Sequence, residues 1–244
     1  MEKKVLDEAT AVVAVSPLVQ LDFQVMTQTP VELITNGFDE CDYQAERCSE
    51  AAGGENKDFV VTHTGLFAAD GNPTVLWDVL AEKCERDEAF RKALRVKLIG
   101  KSDDQIVSAI KEKGLTLIDM GYQPHAVAVE EQRRASLLIL PLRKEPEYKA
   151  VLPGKLFEYL ASWRPVLGIG QPDGAMSMIL NSTKTGVVLN WDDRSSVEKF
   201  IDICWNRHLK GELVVEDADI SQFTRQNLTC KMAQLFDKCC SGRK

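Results

Sequence analysis

The sequence predicts an α/β fold: a parallel sheet with helices on both faces. Two observations point to it. Short apolar runs recur at Phe59–Thr64, Leu94–Ile99, residues 136–142 and Val166–Ile169. Between them lie stretches with apolar residues at helical spacing. Short apolar strands alternating with helices predict a parallel sheet covered on both faces.

Size and composition allow such a fold. The chain has 244 residues, 44% hydrophobic and 27% charged, ordinary globular values with ample material for a core. A net charge of −7 argues against non-specific nucleic-acid binding, which needs a surplus of Lys and Arg. The seven cysteines are odd in number and scattered, with no C-x-x-C pair and no zinc-like spacing with His63, His125 or His208. They read as reduced thiols of a cytoplasmic protein. The glycosylation sequons at Asn181 and Asn227 read as chance matches. The apolar runs are too short to span a bilayer, and the charged start MEKKVLDEA is no signal peptide.

The elements follow in order. Residues 1–9 read as the end of a helix and residues 9–15 as a strand. Ser16 and Pro17 start a helix to about Met26, a hydroxyl cap followed by Pro at the first helical position. Residues 30–34 read as a short strand, and residues 36–39 as a turn. This opening has no sheet of its own to join. Residues 40–57 are polar and read as a mobile loop. After strand Phe59–Thr64 come Gly65 and a loop to Pro73, then a helix from Thr74 to about Leu94. Strand Leu94–Ile99 ends in Gly100. Ser102 is expected to cap a helix to Lys113, closed by Gly114. Residues 115–121 read as a strand, 124–135 as a helix and 136–142 as a strand. Beyond Val166–Ile169 come a helix near 175–181, a strand at 185–189, a helix from Ser195 to about Leu209, and a last helix over 221–239. No internal repeat is evident. Ligands of such sheets sit at the carboxyl ends of strands, near the switch point. The loops after Thr64, Ile99, Gly121, Leu142 and Ile169 are therefore the places to search.

The most informative stretch is residues 152–170, LPGKLFEYLASWRPVLGIG. Pro153 and Gly154 form a loop. Residues 155–162 read as about two helical turns. Leu156, Phe157, Leu160 and Ala161 share an apolar face, and Lys155, Glu158 and Ser162 share the other. Arg164-Pro165 stops the helix. The amides at its start could face a phosphate. Glu158, one turn in, could accept two ribose hydroxyls. A Glu on a helix is usually just solvated, so the residues alone leave a nucleotide site and a bland surface both open.

The string P-G-K-L-F-E-Y-L-A-S-x-R-P-V-L resembles the donor-site helix of the group 1 retaining glycosyltransferases, close to P-S-K-L-F-E-Y-L-A-x-G-x-P-V. The resemblance implies a Rossmann-like three-layer α/β/α sheet, one half of a GT-B fold. The stretch A-V-V-A-V-S-P … P-V-E-L-I-T-N-G-F-D resembles the tail of that family's acceptor-binding domain and its linker. The implied organisation is residues 1–38 as tail and linker, 39–220 as the nucleotide-sugar-binding domain, and 221–244 as a helix packing back on 1–38. The implied function is glycosyl transfer from a UDP- or GDP-linked sugar to an unknown acceptor, as in polysaccharide biosynthesis, with no cofactor. This chain would be the donor-binding half, inactive alone. The flank left by a missing acceptor domain suggests a homodimer, and the full enzyme a peripheral membrane association.

By this resemblance Glu158 holds the ribose, Gly154, Lys155 and Leu156 face the diphosphate, Gly65 allows close approach, and Tyr122 and Gln123 meet the base. Lys101 is a reserve cation. The family mechanism, front-face attack assisted by the donor phosphate, leaves no catalytic side chain to assign. Bland readings stand beside these: a tight turn at Gly65, a surface cation at Lys101, a plain loop at 122–123. Departures are clear. Leu66 stands where the family has Arg, and Gly71-Asn72 lie near the expected Lys. Ala150 replaces the first Glu of the E-x7-E pair, and Trp163 replaces a left-handed Gly. Gly168-Ile-Gly170-Gln-Pro-Asp-Gly174 mimics a dinucleotide motif but has the wrong spacing. Rival functions are a non-catalytic nucleotide-binding or interaction domain and another GT-B enzyme such as a nucleotide-sugar epimerase, for which no acid/base residues stand out.

Overall fold

The computed structural model describes residues 2–43, 58–215 and 218–241. The expected mobile loop 40–57 lies mostly outside them. Only a short 3-10 turn at Glu40–Tyr43 is described there.

The principal sheet has six parallel strands: β3 (Phe59–Thr64), β4 (Leu94–Ile99), β5 (Leu117–Asp119), β6 (Leu137–Pro141), β7 (Val166–Ile169) and β8 (Gly186–Leu189), in the order β5-β4-β3-β6-β7-β8. The chain moves outward from β3 in one direction, then returns to β6 and moves outward in the other. The switch point lies between β3 and β6, which pair at Val61↔Leu137 and Thr62↔Leu138. Every residue of β3 is buried. The burial takes in the polar Thr62, His63 and Thr64 as well as the apolar Phe59, Val60 and Val61. The connections carry α3 (Thr74–Arg86), α4 (Glu88–Ala93), α5 (Asp104–Glu112), α6 (His125–Arg134), α7 (Gly154–Ala161), α8 (Ala175–Thr183) and α9 (Arg194–Lys210). The expected α/β fold with a parallel sheet is the one observed.

A smaller unit stands beside it. α1 (Glu2–Glu8) and α2 (Pro17–Met26) flank β1 (Val12–Ala14) and β2 (Val31–Leu33), which pair in parallel as a two-stranded sheet. The last helix, α10 (Arg225–Ser241), places Leu228 and Leu235 against Ile34 in a separate small core. The linker and the start of α10 are laced together: Phe38 N–H donates to Phe223 O at 3.1 Å and Arg225 N–H to Phe38 O at 2.9 Å.

Several local expectations need correction. The helix expected over 74–94 is broken at Asp87, whose backbone is extended and whose carboxylate accepts from Phe90 N–H. An Asp makes a better cap than a mid-helix residue. Asp103, not Ser102, caps α5, accepting from Gln105 N–H at 2.9 Å. Ser102 is drawn into a bridge with Phe67 instead. Ser16 precedes α2 as expected but makes no cap bond. Ser162 does not share a polar face with Lys155 and Glu158. It is buried, and its hydroxyl donates to Tyr159 O. α7 is thus buried nearly all round. Trp163 takes the left-handed conformation the resemblance assigns to Gly, with φ 58°. That conformation costs a non-Gly residue ~1–2 kcal/mol, and the ring packs against the main core.

Candidate functional site

The site is built where strand ends meet the start of α7. β3 runs into Gly65, whose amide donates to Ile99 O, and Gly100 N–H donates to Gly121 O at 2.7 Å. Gly65 has φ +90° and Gly100 φ +118°, both left-handed. A Cβ on Gly100 would fall 2.4 Å from Gly65 O, and one on Gly65 would fall 2.7 Å from Lys155 Nζ. Only glycines allow these loops to cross so closely.

Clefts open around this crossing. The first, about 270 Å³, is lined by Gly65, Gly100, Tyr122, Gln123, Gln132 and Glu158 among others. The second, about 500 Å³, lies between the linker and α10 and includes Asn36, Gly154, Glu158, Arg225 and Met232. The third, about 200 Å³, contains His63, Asp70, Arg143, Tyr148 and Lys155. Glu158 lines both the first and the second.

Glu158 is held from behind. Its Oε2 accepts from Gln132 Nε2 at 3.0 Å. Gln132 is fully buried; its Nε2 also donates to Thr64 Oγ1 at 3.0 Å, and its Oε1 accepts from Tyr43 O–H at 3.2 Å. Thr64 is tied to α7 too, its amide donating to the Tyr159 hydroxyl at 2.9 Å. Burial, and secondarily the charge of Glu158, pushes the Tyr43 phenol well above its usual range, so Tyr43 remains a donor.

Beneath Gly65 lies a second polar group. Burial drives the pKa of His63 down to about 3, so the ring is neutral. Its Nδ1–H donates to Ile139 O at 3.1 Å, leaving Nε2 to accept from Lys155 Nζ at 3.4 Å. Lys155 also donates to Leu66 O at 3.2 Å. Burial brings the Lys155 pKa down to about 8, against an opposing effect of Glu158. Arg143 pairs with Asp70 at 2.8 Å and lies 5.3 Å from the centre of the Tyr148 ring.

The structure brings Gly65, Tyr122, Gln123 and Glu158 into one cleft, and Gly154 shares the second with Glu158. Tyr122 is 88% exposed at the rim. Gln123 Nε2 donates to Met120 O at 2.7 Å. Lys155 lines the third cleft with its amine turned under the Gly65 loop. Leu156 is a core residue whose N–H already donates to Pro153 O at 3.0 Å. Lys101 is exposed and lines none of these clefts. Of the near-dinucleotide glycines, Gly168 lies against the core, where a Cβ would fall 2.6 Å from Met176 Cε, whereas one on Gly170 would make ordinary contacts at 3.5 Å. Sequence reasoning missed Gln132, Tyr43, His63 and Arg143. A signal existed for Gln132, which falls three residues after buried Val129 on the inward face of α6.

No family model matches the chain, and no curated protein matches it in sequence. Solved structures do match. The chain is similar to sucrose-phosphate synthase from Thermosynechococcus elongatus, at TM-score 0.75 and 17% identity, over 99% of this chain and 61% of that one. It is similar to Anabaena HepE in complex with UDP-glucose, at TM-score 0.69 and 17% identity, over 98% and 68%. It is similar to a mutant of S. aureus TarM in complex with fondaparinux, alpha-GlcNAc-glycerol and UDP, at TM-score 0.68 and 16% identity, over 96% and 46%. The chain has the fold of one half of a GT-B glycosyltransferase. It spans roughly half to two thirds of the length of these GT-B proteins, 46%, 61% and 68% respectively.

Proposed function

We propose that the chain is the donor-binding half of a glycosyltransferase, taking a nucleoside-diphosphate sugar at the carboxyl ends of β3, β4 and β6. One observation carries the reading. Glu158 stands at the shared wall of two clefts, beside the β3–β6 switch point, with one carboxylate oxygen fixed by Gln132. A fixed carboxylate next to a glycine crossing suits a ribose diol with a diphosphate passing close by. Two of the similar structures contain UDP or UDP-glucose, which makes uridine the first base to test.

In this reading Lys155 and Arg143 supply the charge that Leu66 and Asn72 do not. Both line the third cleft, and each is only lightly tethered, Lys155 to a neutral His and a carbonyl and Arg143 to Asp70. A diphosphate would recruit them without a large rearrangement. Transfer itself needs an acceptor domain, so the chain by itself binds donor and transfers nothing.

Calorimetric titration with UDP, GDP and their sugars tests this on the wild type and on Glu158→Ala. Binding of one nucleoside diphosphate, weakened at least about tenfold by loss of hydrogen bonds to a charged group, is expected. Affinity should also fall as pH rises through the Lys155 pKa of about 8, because the amine then loses its charge. No binding to any nucleotide would sink the proposal.

A further inference from the structure

We infer that Gln132 is the positioning residue of the ribose site and that it sets a preference for ribonucleotides over 2′-deoxyribonucleotides. The inference rests on the donor-site reading and goes beyond it. Its basis is the direction of the hydrogen bonds. A carboxylate only accepts, so the Gln132 nitrogen must face Glu158. The same nitrogen donates its second hydrogen to Thr64 Oγ1, and the carbonyl oxygen takes the proton of Tyr43. All these hydrogen-bonding positions are used, and a flipped amide would set an oxygen against the carboxylate. Gln132 is fully buried, so water cannot substitute for a lost partner.

The consequence falls on Glu158. Gln132 engages Oε2, and Oε1 has no hydrogen bond among the described residues, so it remains the acceptor for a ribose hydroxyl. Without Gln132 the tether on Oε2 is gone, while the attraction between Glu158 and Lys155 remains. The carboxylate would then turn toward the amine and away from the ribose position. Tyr43 is part of the device. It follows the linker, meets Phe38 edge-on at 5.9 Å between ring centres, and reaches Gln132 across 89 residues of sequence. The linker's placement therefore reaches Glu158 through two hydrogen bonds.

The test is titration of the wild type, Gln132→Met and Tyr43→Phe with UDP and with 2′-deoxy-UDP. Thermal unfolding confirms that each variant is folded. The wild type should prefer UDP about tenfold or more, the value of a hydroxyl bonded to a charged acceptor. Gln132→Met, which keeps the side-chain length without the amide, should lose that preference mainly by binding UDP more weakly, with 2′-deoxy-UDP little changed. Tyr43→Phe should lose part of it. A folded Gln132→Met that keeps the full preference overturns the inference, as does one that weakens both ligands equally. If the wild type binds UDP with no preference over 2′-deoxy-UDP, the inference fails alone. If the wild type binds neither, the donor-site reading fails with it.

Discussion

The six-stranded sheet and the β1–β2 unit use the same parallel βαβ grammar with very different results. In the large sheet, β3 is buried at every residue, β7 likewise, and one continuous core runs from Phe38 to Phe223. In the small unit, α2 buries no residue at all, although it carries Leu18, Val19, Leu21, Phe23, Val25 and Met26. Val25 is 89% exposed and Leu21 52%. Apolar composition alone therefore does not make a core. A strand or helix contributes stability only where a second layer removes it from water.

The largest predicted effect measures this contrast directly. Leu138, fully buried on central β6, should cost ~2–5 kcal/mol when cut to Ala, the transfer and cavity terms together. Val25→Ala should change stability by no more than about 0.5 kcal/mol, because its side chain is already in water. Urea denaturation of the two variants gives both numbers. A Val25→Ala loss comparable to that of Leu138→Ala would mean that α2 is covered in solution, and the contrast between the two regions would collapse.

Acid should act on the large sheet through His63. The folded pKa, about 3, lies below the ordinary value of 6.5. Between these values the unfolded chain binds a proton that the native protein refuses, so stability falls as pH drops from 6.5 toward 3. At pH 4.5 the cost is ~3 kcal/mol, roughly two pK units. His63→Gln keeps a donor for Ile139 O and does not titrate. It should start less stable at pH 7, having lost the ring packed 4.2 Å from Phe67, but should lose about 3 kcal/mol less between pH 7 and pH 4.5 than the wild type. Equal losses in both proteins would show that His63 is protonated without penalty.

These regions also differ in how far the sequence disclosed them. β3, β4 and β7 begin and end where the sequence places them, because each carries a short apolar segment set off by a glycine or a turn. The Asp87 break was hidden, since apolar periodicity continues across it through Leu80 and Phe90 and only the cap bond marks the stop. In the site, Gly65, Tyr122, Gln123 and Glu158 were reachable from strand-end logic and the α7 motif. Gln132 and Tyr43 were not, because their meaning lies in contacts 26 and 89 residues apart. The direction of Lys155 was likewise unreadable. It depends on His63, a strand residue that periodicity marks only as core.

The smallest effect sharpens the comparison at the level of a single cap. Asp87 and Ser16 are both good N-cap residues by sequence, one before α4 in the large domain and one before α2 in the small unit. The Asp87 carboxylate accepts from Phe90 N–H at 2.9 Å, ahead of a fully buried ring. Ser16 is buried, makes no cap bond, and its hydroxyl has no hydrogen-bond partner among the described residues. Asp87→Ala should therefore cost ~1 kcal/mol, the usual worth of a cap. Ser16→Ala should cost nothing, and should stabilise by up to about 1 kcal/mol if the hydroxyl is desolvated without return. Parallel chemical denaturation of the two variants separates the cases by sign. A loss of about 1 kcal/mol from Ser16→Ala would show that α2 is capped in solution after all. The small unit would then be held by local helix chemistry rather than by its thin core.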